Sequence, residues 1–222
     1  DAAVGRILAL KIRLGLFENP FVDAARAATI VGSADKIAAG RAAQARSLVV
    51  LENRLGAIAL PEKGKRLFLH GVDPAAAQAA GFTVVDRPEA ADASLIRLAT
   101  PYQKLHPGHF FGARQHEGDL DFKPDSAGLA IVAQAASAKA PVILVVDMDR
   151  PAIVTAVRPH AALLLAAFGI SDPALFDMLR GTVAAKGKLP FELPSDMSAV
   201  RAQSPALSHD SANPAYPIGF GR

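Results

Sequence analysis

The chain has 222 residues, 51% of them hydrophobic, a net charge of +3 and no cysteine. A sizeable core is therefore available without covalent staples, and disulfides and cysteine-based metal sites are excluded. Lysine and arginine are scattered rather than blocked, so no nucleic-acid or membrane footprint is indicated, and the apolar runs at 142–146 and 161–167 are too short to span a bilayer.

The first residue is Asp1. The run Arg6-Ile7-Leu8-Ala9-Leu10-Lys11 reads like the middle of a helix with no cap before it, which predicts a cut or processed N-terminus. Gly15 and Pro20 then interrupt the chain. Residues 24–47 read as one long helix, with Ile30, Ala34, Ile37 and Ala38 at helical spacing. Six short apolar runs follow, at 48–51, 66–69, 83–85, 94–98, 142–146 and 163–167. They are mostly continuous rather than alternating, the pattern of strands buried on both faces. Helical stretches are expected at 74–80, 126–138 and 151–157, and at 172–180, where Ser171-Asp172-Pro173 supplies a cap and a first-turn proline.

Alternating strands and helices predict an α/β fold: a mostly parallel six-stranded sheet sandwiched by helices. From residue 187 the chain carries several prolines and little periodicity, which predicts an irregular C-terminal tail wrapped over the domain. Ligands in such sheets sit beyond the carboxyl ends of the strands, so the segments after Leu98 and Val146 matter most.

The segment 99–125 is a loop of roughly 27 residues, far beyond the usual connection length. It gathers Tyr102, His106, His109, Phe110, Phe111, His116, Glu117, Asp119, Asp121 and Phe122. Its aromatic residues need something to pack on, which argues against disorder. The group His116-Glu117-Gly118-Asp119-Leu120-Asp121 places three carboxylates and an imidazole within six residues. Desolvation as such a loop closes on a ligand would raise a carboxyl pKa and fit it for proton donation. The alternative is a solvated turn whose acids cap backbone amides. The three histidines form only a weak metal pattern, since a His-x-x-His in a loop implies no fixed geometry; no metal or cofactor is expected. After the strand at 142–146, Arg150 is expected to pair with Asp147 or Asp149, and Pro151 to start a helix. Glu52-Asn53-Arg54 forms a further polar cluster. No nucleotide-binding glycine loop and no Gly-x-Ser-x-Gly elbow is present.

Several segments together resemble one known family. The opening Leu14-Gly15-Leu16-Phe17-Glu18-Asn19-Pro20 and the closing Gly187-Lys188-Leu189-Pro190 and Tyr216-Pro217-Ile218-Gly219-Phe220-Gly221 are similar to the two ends of the C-terminal α/β domain of glycoside hydrolase family 3, the β-glucosidase family. Pro101-Tyr102, Gly118-Asp119-Leu120-Asp121-Phe122 and Ala166-Ala167-Phe168-Gly169 resemble internal segments of that domain. Glu52-Asn53 stands where the family has Lys-Asn before a Leu-Pro-Leu turn, represented here by Ile58-Ala59-Leu60-Pro61.

The resemblance implies a retaining β-glycosidase whose aspartate nucleophile lies on a preceding barrel domain. Residues 1–23 would be the remnant helix and linker from that barrel, and 24–222 the C-terminal domain; this piece alone would be inactive. In plant members a glutamate acid/base shortly precedes the Pro-Tyr pair; the matching position here is Ala99, which has no proton to give. Glu117 thus becomes the candidate general acid/base, with Asp119 second, and His116, Arg54 and Tyr102 the candidate substrate-binding residues. The implied partners are an N-terminal TIM-barrel domain of the same enzyme and a glucoside or oligosaccharide, with a homodimer also allowed; the implied location is periplasmic or secreted. A non-catalytic carbohydrate-binding module is the alternative, disfavoured by two tyrosines and no tryptophan.

Overall fold

A computed structural model describes residues 1–56, 65–204, 206–207 and 209–221. The Ile58–Pro61 turn lies outside the described residues. The chain divides into two compact units, Asp1–Gly40 and Arg41–Arg222. The division falls at 40/41, within a helix, whereas the sequence-based boundary lies at 23/24.

In the first unit, α1 (Ala2–Arg13) has no buried residue and leaves Val4, Ile7 and Ile12 more than half exposed. The expected single helix over 24–47 is two helices, α2 (Ala24–Ile30) and α3 (Ala34–Arg46). Asp23 caps α2 by accepting from the amides of Ala25 and Arg26. The break falls at Gly32, whose φ of +73° suits glycine and ends a helix.

The second unit is built on one six-stranded sheet in the order β1-β6-β5-β4-β2-β3. The strands are β1 (Leu48–Asn53), β2 (Arg66–His70), β3 (Thr83–Val85), β4 (Ala93–Ala99), β5 (Val142–Asp147) and β6 (Leu163–Ala167). All six lie where the apolar runs placed them. Every pairing is parallel except β1 with β6, which is antiparallel. Continuous apolar runs report burial on both faces but not strand direction.

Alternate residues of each strand feed two cores, as a period of two requires. On one face Leu48, Val50, Leu95, Ile143, Val145 and Leu163 pack with Phe176 and Leu175 of α6 (Asp172–Leu179) and Ala77 of α4 (Pro74–Ala79). On the other, Val49, Leu51, Ile96, Leu144 and Val146 pack with Val132 and Ala135 of α5 (Ala127–Ser137) and with Leu189, Leu193 and Tyr216 of the tail. The tail thus does on one face what a helix would do in a regular sandwich. Its two signature segments pair with each other: Leu189 N donates to Phe220 O (2.8 Å), and Leu193 N to Tyr216 O (2.8 Å). Gly187 N donates to Leu48 O (3.0 Å), and a Cβ at Gly187 would stand 2.5 Å from that oxygen. Only glycine permits this approach.

Two local expectations are corrected. Residues 151–157 are not helical. Ile153 makes a parallel bridge with Asp121, and its amide donates to Leu120 O at 3.0 Å; β-branched Ile153 suits that bridge, and the chain turns at 155–157. The tail also contains a short helix, α7 (Met197–Ala202), capped by Asp196, which accepts from Ala199 N. Among the described residues no helix is long and apolar enough to cross a membrane.

Phe176 is 1% exposed, whereas Phe110 is 91% exposed. Phe176→Ala is expected to cost about 3–5 kcal/mol of stability and Phe110→Ala less than about 0.5 kcal/mol; urea unfolding of the two variants checks the contrast.

Candidate functional site

The candidate site lies at the carboxyl ends of β4 and β5. β4 ends at Ala99, and the chain then runs as a long strap to α5. Two arginines organise this end of the sheet. Arg97, on β4, reaches Asp147 at the end of β5 with two contacts (2.7 and 2.8 Å), Asp172 at the start of α6 (2.6 Å) and Ile170 O (2.8 Å). Hydrogen bonding to Asp147 raises the Arg97 pKa against the effect of burial. Asp172 also accepts from the amide of Asp73, ahead of α4. One half-buried cation therefore joins two strands to α6, whose N-terminal dipole favours the anion placed there.

Arg150 holds the strap. It pairs with neither Asp147 nor Asp149. Its guanidinium donates to the carbonyls of Pro101 (2.5 Å) and Gly118 (3.0 Å). These oxygens stand at the two ends of the stretch 101–118 within the strap, so one side chain closes that stretch into a loop. Thr100 adds hydroxyl bonds to Asp147 O (2.9 Å) and Arg150 O (3.2 Å). Between the closed ends, Gln103 and Glu117 exchange backbone hydrogen bonds (2.8 and 3.1 Å) as an antiparallel bridge.

Glu117 is tied by both carboxylate oxygens. Oε2 accepts from the amides of Leu105 and His106, each at 3.1 Å, and Oε1 meets His106 Nδ1 at 2.8 Å. The His106 hydrogen bond holds the Glu117 pKa below the usual glutamate value. The carboxylate is thereby stabilised in its charged form. Asp119 meets Lys123 at 2.7 Å and Arg201 at 3.4 Å, and the lysine likewise lowers its pKa. Asp121 shares Lys123 at 2.8 Å.

His116 is held differently. Its Nδ1 contacts Asp149 Oδ2, and its ring lies flat on Tyr102, with centroids 3.8 Å apart and an interplanar angle of 12°. Tyr102 also lines an open cleft of about 340 Å³ with Gln103, Asp119, Asp121 and Lys123. Beyond it, His106 stacks on His109 at 5.0 Å, and Phe110 meets Phe111 edge-on at 4.6 Å, both phenylalanines exposed. Among the described residues no group of three metal-ligating side chains converges.

The structure thus brings Tyr102, His116, Glu117 and Asp119 together and leaves Arg54 apart. Because β1 runs antiparallel to β6, Asn53 pairs with Leu163 at the amino end of β6. Arg54 follows Asn53 and lies at the opposite end of the sheet from the strap. There it joins a second polar cluster: Glu52 meets Arg54 (2.6 Å), Arg158 and the Tyr216 hydroxyl (2.9 Å). Burial would raise the Glu52 pKa, but the hydrogen bonds from Tyr216, Arg54 and Arg158 outweigh it and lower the value. Burial and the Glu52 contact raise the Tyr216 pKa. The cluster anchors the tail to β1. Asp149 and Arg150 were read as structural in the sequence, and only their proximity to the strap reveals their part in the site.

Two outcomes follow from this geometry. Arg150→Met removes hydrogen bonds at both ends of the 101–118 stretch, so amide hydrogen exchange across 101–119 is expected to rise at least about tenfold, with exchange in β5 little changed. A carboxyl-carbon NMR titration of Glu117 is expected to find a midpoint below the ordinary 4.5, and His106→Ala to move it up toward that value. Since the folded pKa is the depressed one, the stabilisation from Glu117 is present above 4.5 and is lost as pH falls through the folded value.

Residues 82–222 match the pattern of the Glycosyl hydrolase family 3 C-terminal domain. Over its whole length the chain is 48% identical to a periplasmic beta-glucosidase/beta-xylosidase of Dickeya chrysanthemi, of which it covers 33%. It is 38% identical to a probable beta-glucosidase C of Aspergillus oryzae, of which it covers 34%. The chain therefore spans about a third of the length of these curated relatives. Among solved structures it resembles the beta-glucosidase from Listeria innocua in complex with gluconolactone, with a TM-score of 0.72 and 20% identity over 98% of this chain and 37% of that one. Sequence and fold agree, and the chain belongs to the glycosyl hydrolase family 3 C-terminal domain family.

Proposed function

We propose that this chain is the C-terminal part of a retaining β-glycosidase that hydrolyses β-glucosides, completed by an N-terminal barrel domain of the same enzyme. The observation that carries this reading is the 48% identity to a β-glucosidase three times as long, continuous over every residue of this chain. The strap at the carboxyl ends of β4 and β5 stands where ligands bind in such sheets. It would form one wall of the pocket, with Tyr102 and the cleft beside it facing the sugar.

In the double-displacement mechanism a carboxylate attacks the anomeric carbon while an acid protonates the leaving oxygen; water then resolves the glycosyl-enzyme. The carboxylate nucleophile belongs to the barrel in this scheme. Glu117 and Asp119, the acid/base candidates from sequence, are both held ionised, by His106 and Lys123 respectively. That suits bracing the strap and accepting sugar hydroxyls better than donating a proton. Arg54, at the far end of the sheet, serves the tail. A periplasmic location would match that of the Dickeya relative. The reading as a free-standing binding module is weakened by relatives that are all enzymes of far greater length.

The test is hydrolysis of 4-nitrophenyl β-glucoside. The enzyme complete with its barrel domain is expected to release β-glucose first, as NMR would record. This chain alone is expected to be at least about 10⁴-fold slower, because the covalent route is lost with its nucleophile. Turnover by the isolated chain at a comparable rate, or α-glucose as the first product, would overturn the reading.

A further inference from the structure

We infer that His116, oriented by Asp149, is the proton-transferring residue that this chain brings to the completed pocket. The inference rests on the glycosidase reading above and adds the identity of the acid/base. The titratable groups of the strap separate by what remains open on each. Glu117 has both oxygens occupied by three donors. Asp119 and Asp121 share Lys123. His106 spends Nδ1 on a glutamate whose charge is already drawn to two backbone amides. Of the two strap histidines that pair with a carboxylate, only His116 meets one with no other hydrogen-bond partner, backbone amides included, among the described residues: there Asp149 meets His116 alone, whereas Glu117 also accepts from two amides.

That arrangement has the logic of an aspartate–histidine pair. The carboxylate accepts a hydrogen bond from Nδ1–H, fixes the tautomer and stabilises the imidazolium. Nε2 makes no hydrogen bond among the described residues, and the ring is 39% exposed at the side chain, so the working nitrogen is accessible. The Tyr102 ring lies flat on the imidazole and limits its rotation. Asp149 stands two residues beyond β5, and Arg150, its neighbour, closes the strap. Both members of the pair are therefore carried by backbone fixed to the sheet.

In the first step the barrel carboxylate forms a bond to the anomeric carbon as the bond to the leaving oxygen breaks, and the Nε2 proton passes to that oxygen. In the second step Nε2 takes a proton from water, whose oxygen displaces the carboxylate. The proton balance closes, and no further reactant is needed.

The test uses the enzyme with its barrel domain and aryl β-glucosides of graded leaving-group acidity. His116→Asn keeps an N–H for Asp149 and removes the proton-carrying nitrogen. The expected fall in kcat/KM is at least about 100-fold for phenyl β-glucoside and less than about tenfold for the 2,4-dinitrophenyl substrate, whose leaving group needs no proton. Azide is expected to restore turnover of the activated substrate and yield β-glucosyl azide, because an anion needs no base. Asp149→Asn, with the imidazole intact, is expected to give the same pattern at smaller magnitude. A uniform loss across the series in both variants, or no loss, overturns the assignment. So does the graded pattern with azide rescue in Glu117→Gln instead. A wild-type enzyme that cleaves none of the glucosides removes the glycosidase reading and the pair together. A wild-type enzyme that cleaves them while His116→Asn is unaffected removes only the pair.

Discussion

A guanidinium that accepts no protons and donates in a fixed plane is the constraint on which the strap depends. Arg150 bonds the carbonyls of Pro101 and Gly118, and so converts a long connection into a closed loop. Closing a loop of this length costs conformational entropy that its own exposed side chains cannot recover. The compensation comes from directed bonds: Arg150 at the base, the Gln103–Glu117 bridge above it, and the Glu117 carboxylate gathering two amides and an imidazole further out. Arg97 performs the equivalent task one layer down, where Asp147 and Asp172 meet it at the ends of β5 and α6. The chemistry stands on rigid ground because the sheet ends beneath it are neutralised and tied.

The acids Glu117, Asp119 and Asp121 of the strap are each paired, and the pairing assigns tasks. Carboxylates that already accept from cations or amides remain ionised and hold shape. An imidazole backed by a single carboxylate retains one nitrogen for a visiting molecule. The difference between Glu117 and His116, adjacent in sequence, arises from which way each side chain turns: one along the strap toward Leu105 and His106, the other down to the end of β5.

The six strands were legible because burial on both faces leaves runs such as Val142–Val146 with no polar interruption. The antiparallel direction of β1 was not, since Leu48–Leu51 has the same apolar signature whichever way it points; with it went the placement of Arg54, whose position depends on that direction. Helical spacing over 24–47 concealed the break at Gly32, a residue the pattern tolerates but the backbone does not continue through. The segment 151–157 contains apolar residues at plausible intervals, yet they face the core from an irregular path bonded to Leu120. The unusual length and composition of the strap singled it out as the candidate site region from sequence alone. The partner of each of its acids could not be inferred, because those partners, Asp149 and Arg150 among them, come from a different part of the chain.

The tail carries a consequence for synthesis. Part of one face of the sheet, beside α5, is covered by Leu189, Leu193 and Tyr216, and Tyr216 also donates to buried Glu52 on β1, more than 160 positions earlier. A nascent chain emerging from the ribosome therefore displays that apolar surface uncovered until residue 220 is free. A chain truncated before Leu189 would leave a sticky, half-clad intermediate, a ready target for chaperones and proteases.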